Sequence, residues 1–239
     1  PTTSVYNAKF MEDFISFAKQ NNVLPDEIIW HELNNDFFTD WYNHYNHYRG
    51  VEQNLGISKL PIAINEYARP SDLGIPGELV QWVTRLENSK VNGMLAYWSA
   101  AGTLNDLVTQ NSKPTGGWWL YKWYGEMTGH TVATTPTATT GSFQGLATVD
   151  DAKKQVRVLF GGSYPDDTYT TTINVKGLSA DTYGQRVHAT VWGVDSTGTS
   201  PSSGPYVVQE GDFTIANGQI NVPLSTLICP LAIVKSPSC

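Results

Sequence analysis

The chain has 239 residues, 40% of them hydrophobic and 15% charged, with a formal net charge of −7. That length allows one large domain or two modest ones with real cores, and the acidic balance argues against nucleic acid or an anionic membrane as a partner, since both need basic surface. No run of about 18 apolar residues occurs, so no helix that spans a membrane is expected.

In chain order, Phe10, Met11, Phe14, Ile15, Phe17 and Ala18 fall on one face of a first helix, which Asn21-Asn22 ends. Asp26 to Trp30 reads as a strand leading into His31 and Glu32. Phe38, Trp41, Tyr45, Tyr48 and Leu55 then recur at helical spacing, with Gly56 as the natural stop. Pro61-Ile62-Ala63-Ile64-Asn65-Glu66-Tyr67 is a short apolar strand that ends in a carboxylate. Strands of that kind are covered on both faces and belong in an α/β layer. Pro76 opens a third helix lined by Leu79, Val80, Val83 and Leu86. Met94 to Trp98 reads as a third strand, and Trp118 to Met127 as a fourth helix closed by Gly129.

The alternation α-β-α-β-α-β-α, with strands about 33 residues apart, has the period of a βα-barrel. Three parallel strands cannot close a barrel that takes eight, and an open set leaves apolar edges bare. Residues 1–130 are therefore expected to be the C-terminal part of a (β/α)8 TIM barrel, about strands 6–8. Residues 131–142, rich in Thr and Pro, form a linker, or a linker that becomes an edge strand. Residues 143–239 show strand periods only: Val156, Val158, Phe160; Ile173, Val175; Val187, Ala189, Val191; Phe213, Ile215; Ile220, Val222. With Asn217-Gly218 as a hairpin signal, they predict an antiparallel β-sandwich that braces the barrel, a functional sandwich with the barrel part as anchor being a third possibility.

Eight Trp and twelve Tyr exceed what the cores need. Flat aromatic faces stack on the C–H faces of sugars, although part of the set is explained as interior residues with polar tips. Cys229 and Cys239 are the only cysteines. A small disulfide loop near the C-terminus, a bond from either one to a segment outside this sequence, or two free thiols all fit their spacing; the low charge and abundant Thr, Gly and Asn favour a secreted, oxidised protein. The chain opens on Pro1, which suggests a processed or truncated product.

Three predicted strand ends converge in a barrel: His31-Glu32-Leu33-Asn34, Asn65-Glu66-Tyr67-Ala68-Arg69 and Tyr97-Trp98-Ser99. Active groups of parallel barrels sit where strands give way to loops. A carboxylate flanked by His31, Tyr67 and Arg69 can be held ionised and oriented, as a nucleophile requires. Trp98 offers a flat floor for a sugar ring. On these residues the whole chain resembles the retaining glycoside hydrolases of clan A, most closely family 39. Asn65-Glu66-Tyr67 looks like the nucleophile strand, Leu95-Ala96-Tyr97-Trp98-Ser99 like the eighth strand, and Gly116–Tyr124 like the closing helix before the accessory sandwich.

The resemblance implies an oligo- or polysaccharide substrate, with Glu66 as nucleophile and His31, Glu32, Asn34, Asn65, Tyr67, Arg69 and Trp98 binding the glycan. Trp30-His31-Glu32-Leu33-Asn34 superficially looks like the clan's acid/base motif, but that motif should precede the nucleophile by three βα steps, and Glu32 precedes Glu66 by a single step. The acid/base is therefore expected upstream of Pro1, on the N-terminal part of the same barrel as a separate chain left by a nick. The competing expectation is a non-catalytic carbohydrate-binding protein on a degenerate barrel. No cofactor is implied. His44 and His47 sit at helical spacing without an apparent third ligand, so they read as an exposed helix face rather than a metal site. Asp106 reads as a turn residue or a sugar contact, and Asp150-Asp151 and Asp166-Asp167 as turns.

Overall fold

The computed structural model describes residues 5–34, 36–96, 104, 106–162 and 168–228. The chain divides into two compact units, Pro1–Ser71 with Trp82–Trp98, and Asp72–Gln81 with Ser99–Cys239.

The first unit is an α/β layer. Helix α1 (Ala8–Gln20) starts where the Asn7 side chain accepts the Phe10 N–H at 2.9 Å, satisfying a donor that the helix itself leaves unpaired. It ends where Asn22 takes a left-handed φ of 57°, which Asn tolerates better than most residues. Met11, Ile15 and Ala18 form its buried row, and α1 packs on helix α2 (Phe37–Leu55). The apolar face expected from the sequence is only half covered: Phe10 and Phe17 lie about one helical step aside from that row and are exposed.

Strands β1 (Ile28–Glu32), β2 (Ile62–Tyr67) and β3 (Asn92–Leu95) form a parallel sheet in the order β1-β2-β3. Trp30 of β1 packs among Trp41 and Tyr48 of α2 at ring separations of 6.1 and 6.0 Å, so its face of the sheet is the helix side. Phe37 of α2 stacks at 3.8 Å on Trp82 of helix α3 (Pro76–Asn88), and the Trp41 indole N–H donates to Ser89 Oγ at 2.9 Å.

The turn that feeds β2 is fastened by a buried ion pair. Glu52, 2% exposed, accepts from Arg49 Nη1 at 2.8 Å and from the Leu60 N–H at 2.8 Å, while Arg49 Nη1 also donates to the Leu60 carbonyl. Gly56, with φ 63°, ends α2 just before this turn.

In the second unit, helix α4 (Gly116–Gly125) precedes seven described strands. β4 (His130–Val132), β5 (Phe143–Asp150) and β6 (Gln155–Gly162) make one antiparallel sheet. β7 (Thr168–Lys176) pairs with β10 (Gln219–Ile228), and β8 (Arg186–Gly193) with β9 (Tyr206–Thr214). Inward residues Val156, Val158, Phe160, Val187, Val191 and Val222 belong to one apolar core.

Two local readings change. Asn217 and Gly218 have φ 52° and 72°, the signature of a type I′ turn, and Ala216 and Gln219 exchange backbone hydrogen bonds across it. The ladder stops there: β9 continues with β8 and β10 with β7, so the turn passes the chain between sheets rather than building a long hairpin. Gly129 does not close α4, which ends at Gly125; its φ of 89° leads into β4, and a Cβ there would stand 1.9 Å from the Val149 carbonyl oxygen. Gly129→Ala is expected to lower stability by more than about 1 kcal/mol, because the substituted residue meets both a left-handed φ and a backbone atom. The unfolding midpoint checks this; an unchanged midpoint would mean that β4 yields without cost. Asp150, read as a plain turn residue, accepts from Thr128 and Lys153, and those hydrogen bonds pull its carboxyl down to about 2.

Candidate active site

The register of the parallel sheet decides where each candidate side chain points. Trp30 pairs with Ile64, but the next residue, His31, pairs with Glu66 rather than Asn65. On the other edge of β2, Ile64 pairs with Gly93 and Tyr67 with Leu95, three steps on β2 against two on β3. Strand β2 therefore carries one extra residue between Ile64 and Glu66 relative to both neighbours. Strict alternation would put Glu66 on the face of Ile62 and Ile64, against the helices. The extra residue reverses it, so Glu66 shares the opposite face with His31, while Tyr67 returns to the helix side with Glu32. Bulges re-aim side chains in this way and are over-represented next to active sites.

Glu66 and His31 are brought together by this geometry. His31 Nδ1 lies 3.4 Å from Glu66 Oε2, with the His31 side chain 18% exposed and that of Glu66 43% exposed. A carboxylate at a strand end, partly open to solvent and steadied on one side by an imidazole, can receive a substrate and attack it. Directly after β2, Ala68 is fully buried yet holds φ 80°, a left-handed conformation that costs a non-glycine residue roughly 1–2 kcal/mol. Such strain clusters where function fixes the backbone.

The other candidates divide. Glu32 does not share the face of Glu66: it is buried on the helix side, where its Oε1 accepts from the Trp30 indole N–H at 2.7 Å and lies 2.9 Å from His44 Nδ1. Tyr67 is also buried there, its ring 6.0 Å from Trp82. Its ring edge packs where a Cβ on Gly93 would stand, 3.2 Å away. Asn65 lies within the irregular step and is half-buried, and Asn34 is exposed beyond β1. The Arg69 guanidinium lies 5.2 Å from the Phe38 ring. Trp98, with Tyr97 and Ser99, lies outside the described residues, as do Cys229, Cys239, Asp166 and Asp167.

Two groups escaped the sequence reading. Arg85 is fully buried, donates from Nη2 to the Phe38 carbonyl at 2.9 Å, and sets its guanidinium 5.2 Å from the Phe38 ring on which Arg69 also rests. Its signal was an arginine one residue from the apolar row of α3. His44 and His47 do not form the exposed face that their spacing suggests, for both are engaged. His44 meets Glu32, and His47 lies 2.6 Å from the Tyr6 hydroxyl and 3.1 Å from Glu12. Burial pulls the His44 imidazole down, but the Glu32 hydrogen bond and the charges of Glu32, Asp36 and Asp40 outweigh it, and the net shift is upward. Among the described residues no group of three His, Cys, Asp or Glu side chains is placed to hold a metal ion. In the second unit, Asp106 is buried with φ 57°, and its carbonyl accepts from Thr115 Oγ1 at 2.9 Å.

No family model matches the chain. It is 35% identical over 237 residues to a 3-O-alpha-D-galactosyl-alpha-L-arabinofuranosidase of Bifidobacterium longum subsp. longum, covering 95% of this chain and 21% of that protein. It is 31% identical over 241 residues to a 3-O-beta-L-arabinopyranosyl-alpha-L-arabinofuranosidase of Bifidobacterium pseudocatenulatum, covering 95% and 25%. The chain thus spans about a fifth to a quarter of the length of these relatives. Among solved structures, N2152 from Neocallimastix frontalis superimposes with a TM-score of 0.90 at 35% identity, over all of this chain and 60% of that one. A GH39 beta-xylosidase from Caulobacter crescentus gives a TM-score of 0.62 at 12% identity, over 97% and 56%, a likeness of fold alone. The curated relatives are arabinofuranosidases, and the solved neighbours include glycosidases.

Proposed function

We propose that the chain is the C-terminal part of a retaining glycoside hydrolase of clan A, of family 39 type, acting on glycans that carry α-L-arabinofuranosyl groups. The observation that carries this reading is the extra residue in β2, which turns Glu66 away from the helices and sets it 3.4 Å from His31 on the same face of the sheet. The names of the two arabinofuranosidase relatives support the substrate class.

In this reading the Glu66 carboxylate attacks the anomeric carbon as the bond to the leaving oxygen breaks, giving a glycosyl-enzyme ester. Water then cleaves that ester and releases the sugar with retained configuration. His31 fixes the carboxylate oxygen that does not attack. The leaving oxygen needs a proton from a second carboxyl group about 5–5.5 Å from the first. Glu32 cannot supply it, because the pleat of β1 puts it on the far side of the sheet. The N-terminal part of the same barrel supplies that group. Intact-mass analysis of the native protein reads how that part is joined: two associated species follow from a nick, and one longer species from an unbroken chain.

The test is hydrolysis of a panel of aryl glycosides by the full-length protein, with the first-formed anomer followed by NMR. Turnover of an α-L-arabinofuranoside with retention is expected. Inversion, or glycan binding with no turnover of any glycoside, would contradict the reading, the latter favouring a carbohydrate-binding protein.

A further inference from the structure

Behind the sheet, on the face opposite Glu66, three polar groups are drawn together in an otherwise apolar layer. The Trp30 indole N–H donates to Glu32 Oε1 at 2.7 Å, and His44 Nδ1 lies 2.9 Å from the same oxygen. Tyr6, just before α1, stacks on the His44 ring at 4.7 Å and meets Trp30 edge-on at 5.2 Å. Trp30 and Glu32 flank His31 in sequence, and both point to the helix side, so the bond between their side chains spans the residue that projects to the front. The irregular register falls between Trp30 and His31, where the backbone ladder to β2 is interrupted and holds the strand least firmly.

We propose that Trp30, Glu32 and His44 are positioning residues: their buried hydrogen bonds hold the end of β1 so that His31 stays in place against Glu66. This rests on the reading of Glu66 as nucleophile. A carboxylate 2% exposed needs its donors, since a buried charge without them is costly. A protonated His44 is the stronger donor and cancels that charge. The groups facing it are Glu32 from β1, Tyr6 from the segment before α1, Glu12 of α1 through His47, and Asp36 and Asp40 from the start of its own helix and the residue before it. Because His44 is shifted upward in the fold, its contribution is complete below the unfolded value near 6.5 and is lost as pH rises through the folded one. The clamp therefore loosens on the alkaline side.

The experiment is the pH dependence of kcat and KM for the full-length protein and its variants. His44→Leu is expected to lower kcat about ten- to hundredfold, the cost of a small misplacement near the reacting groups, with KM changed less than about twofold. His44→Gln keeps an N–H donor within reach of Glu32 without titrating. It is expected to restore most of kcat and to shift the alkaline limb of the profile. Trp30→Phe keeps the ring and removes only the donor, so it reports the same loss if His44→Leu fails to fold. His47→Gln, on the same helix but bonded to Tyr6 and Glu12, is expected to change the melting temperature without changing kcat.

Unchanged kcat and an unchanged alkaline limb in His44→Leu and Trp30→Phe would overturn the proposal. So would an equal loss in His47→Gln, which would point to helix docking in general. If Glu66→Ala retained turnover, the nucleophile reading would fail instead, and the two failures are distinct.

Discussion

Glu66→Ala is expected to lower kcat by about ten-thousandfold or more while leaving glycan binding within a few-fold of the parent. A nucleophile that forms a covalent intermediate has no substitute in its own site, and removal of such groups elsewhere costs losses of that order or larger. Binding should survive because the subsites that hold the sugar make most of the contacts, and because a side chain 43% exposed can be shortened without opening a core cavity. Isothermal titration with an intact glycan, alongside turnover of an aryl glycoside, separates the two effects. Loss of binding and turnover together, with a lower melting temperature, would make Glu66 structural. Turnover at the parent rate would end its candidacy.

The largest stability effect is expected at Glu52. Its carboxylate is buried and accepts from both the Arg49 guanidinium and the Leu60 N–H, and Arg49 also holds the Leu60 carbonyl. Glu52→Ala leaves a part-buried guanidinium without its counter-charge and the Leu60 N–H without its acceptor, a combination that costs about 3–5 kcal/mol when a buried pair is broken from one side. The turn concerned leads straight into β2, where the Pro61 carbonyl accepts the Ile28 N–H at 2.9 Å. Activity should therefore fall with stability in this variant, unlike in Glu66→Ala. Chemical denaturation of the full-length protein measures it, and a loss below about 1 kcal/mol would show that the pair offsets little more than its own desolvation.

Much of the architecture was legible because apolar period and turn chemistry agreed. The α3 row of Leu79, Val80, Val83 and Leu86 is buried as expected, and Asn22 and Gly56 mark the helix ends. The strands of the second unit follow their alternating valines and isoleucines. The face that carries Glu66 was only half legible. That a strand carried Glu66 near its end could be read from Ile62–Ile64, but which way Glu66 faced depends on one extra residue, and simple alternation predicts the wrong side. Glu32 misled for the converse reason: it sits beside His31 in sequence, and adjacency in a strand means opposite faces. His44 and His47 looked solvated because their partners, Glu32, Tyr6 and Glu12, lie 12, 41 and 35 residues away in the chain. Side-chain pairs of that separation leave no local signal.

The proposed mechanism turns on a covalent bond between Glu66 and the sugar, and that bond can be trapped. The full-length protein would be incubated with a 2-fluoro arabinofuranoside bearing a good leaving group, which slows the second step more than the first, then digested and mapped by mass spectrometry. One modified peptide is expected, with the sugar on Glu66. A sugar on any other carboxylate, or inactivation-free turnover with inverted product, would contradict it.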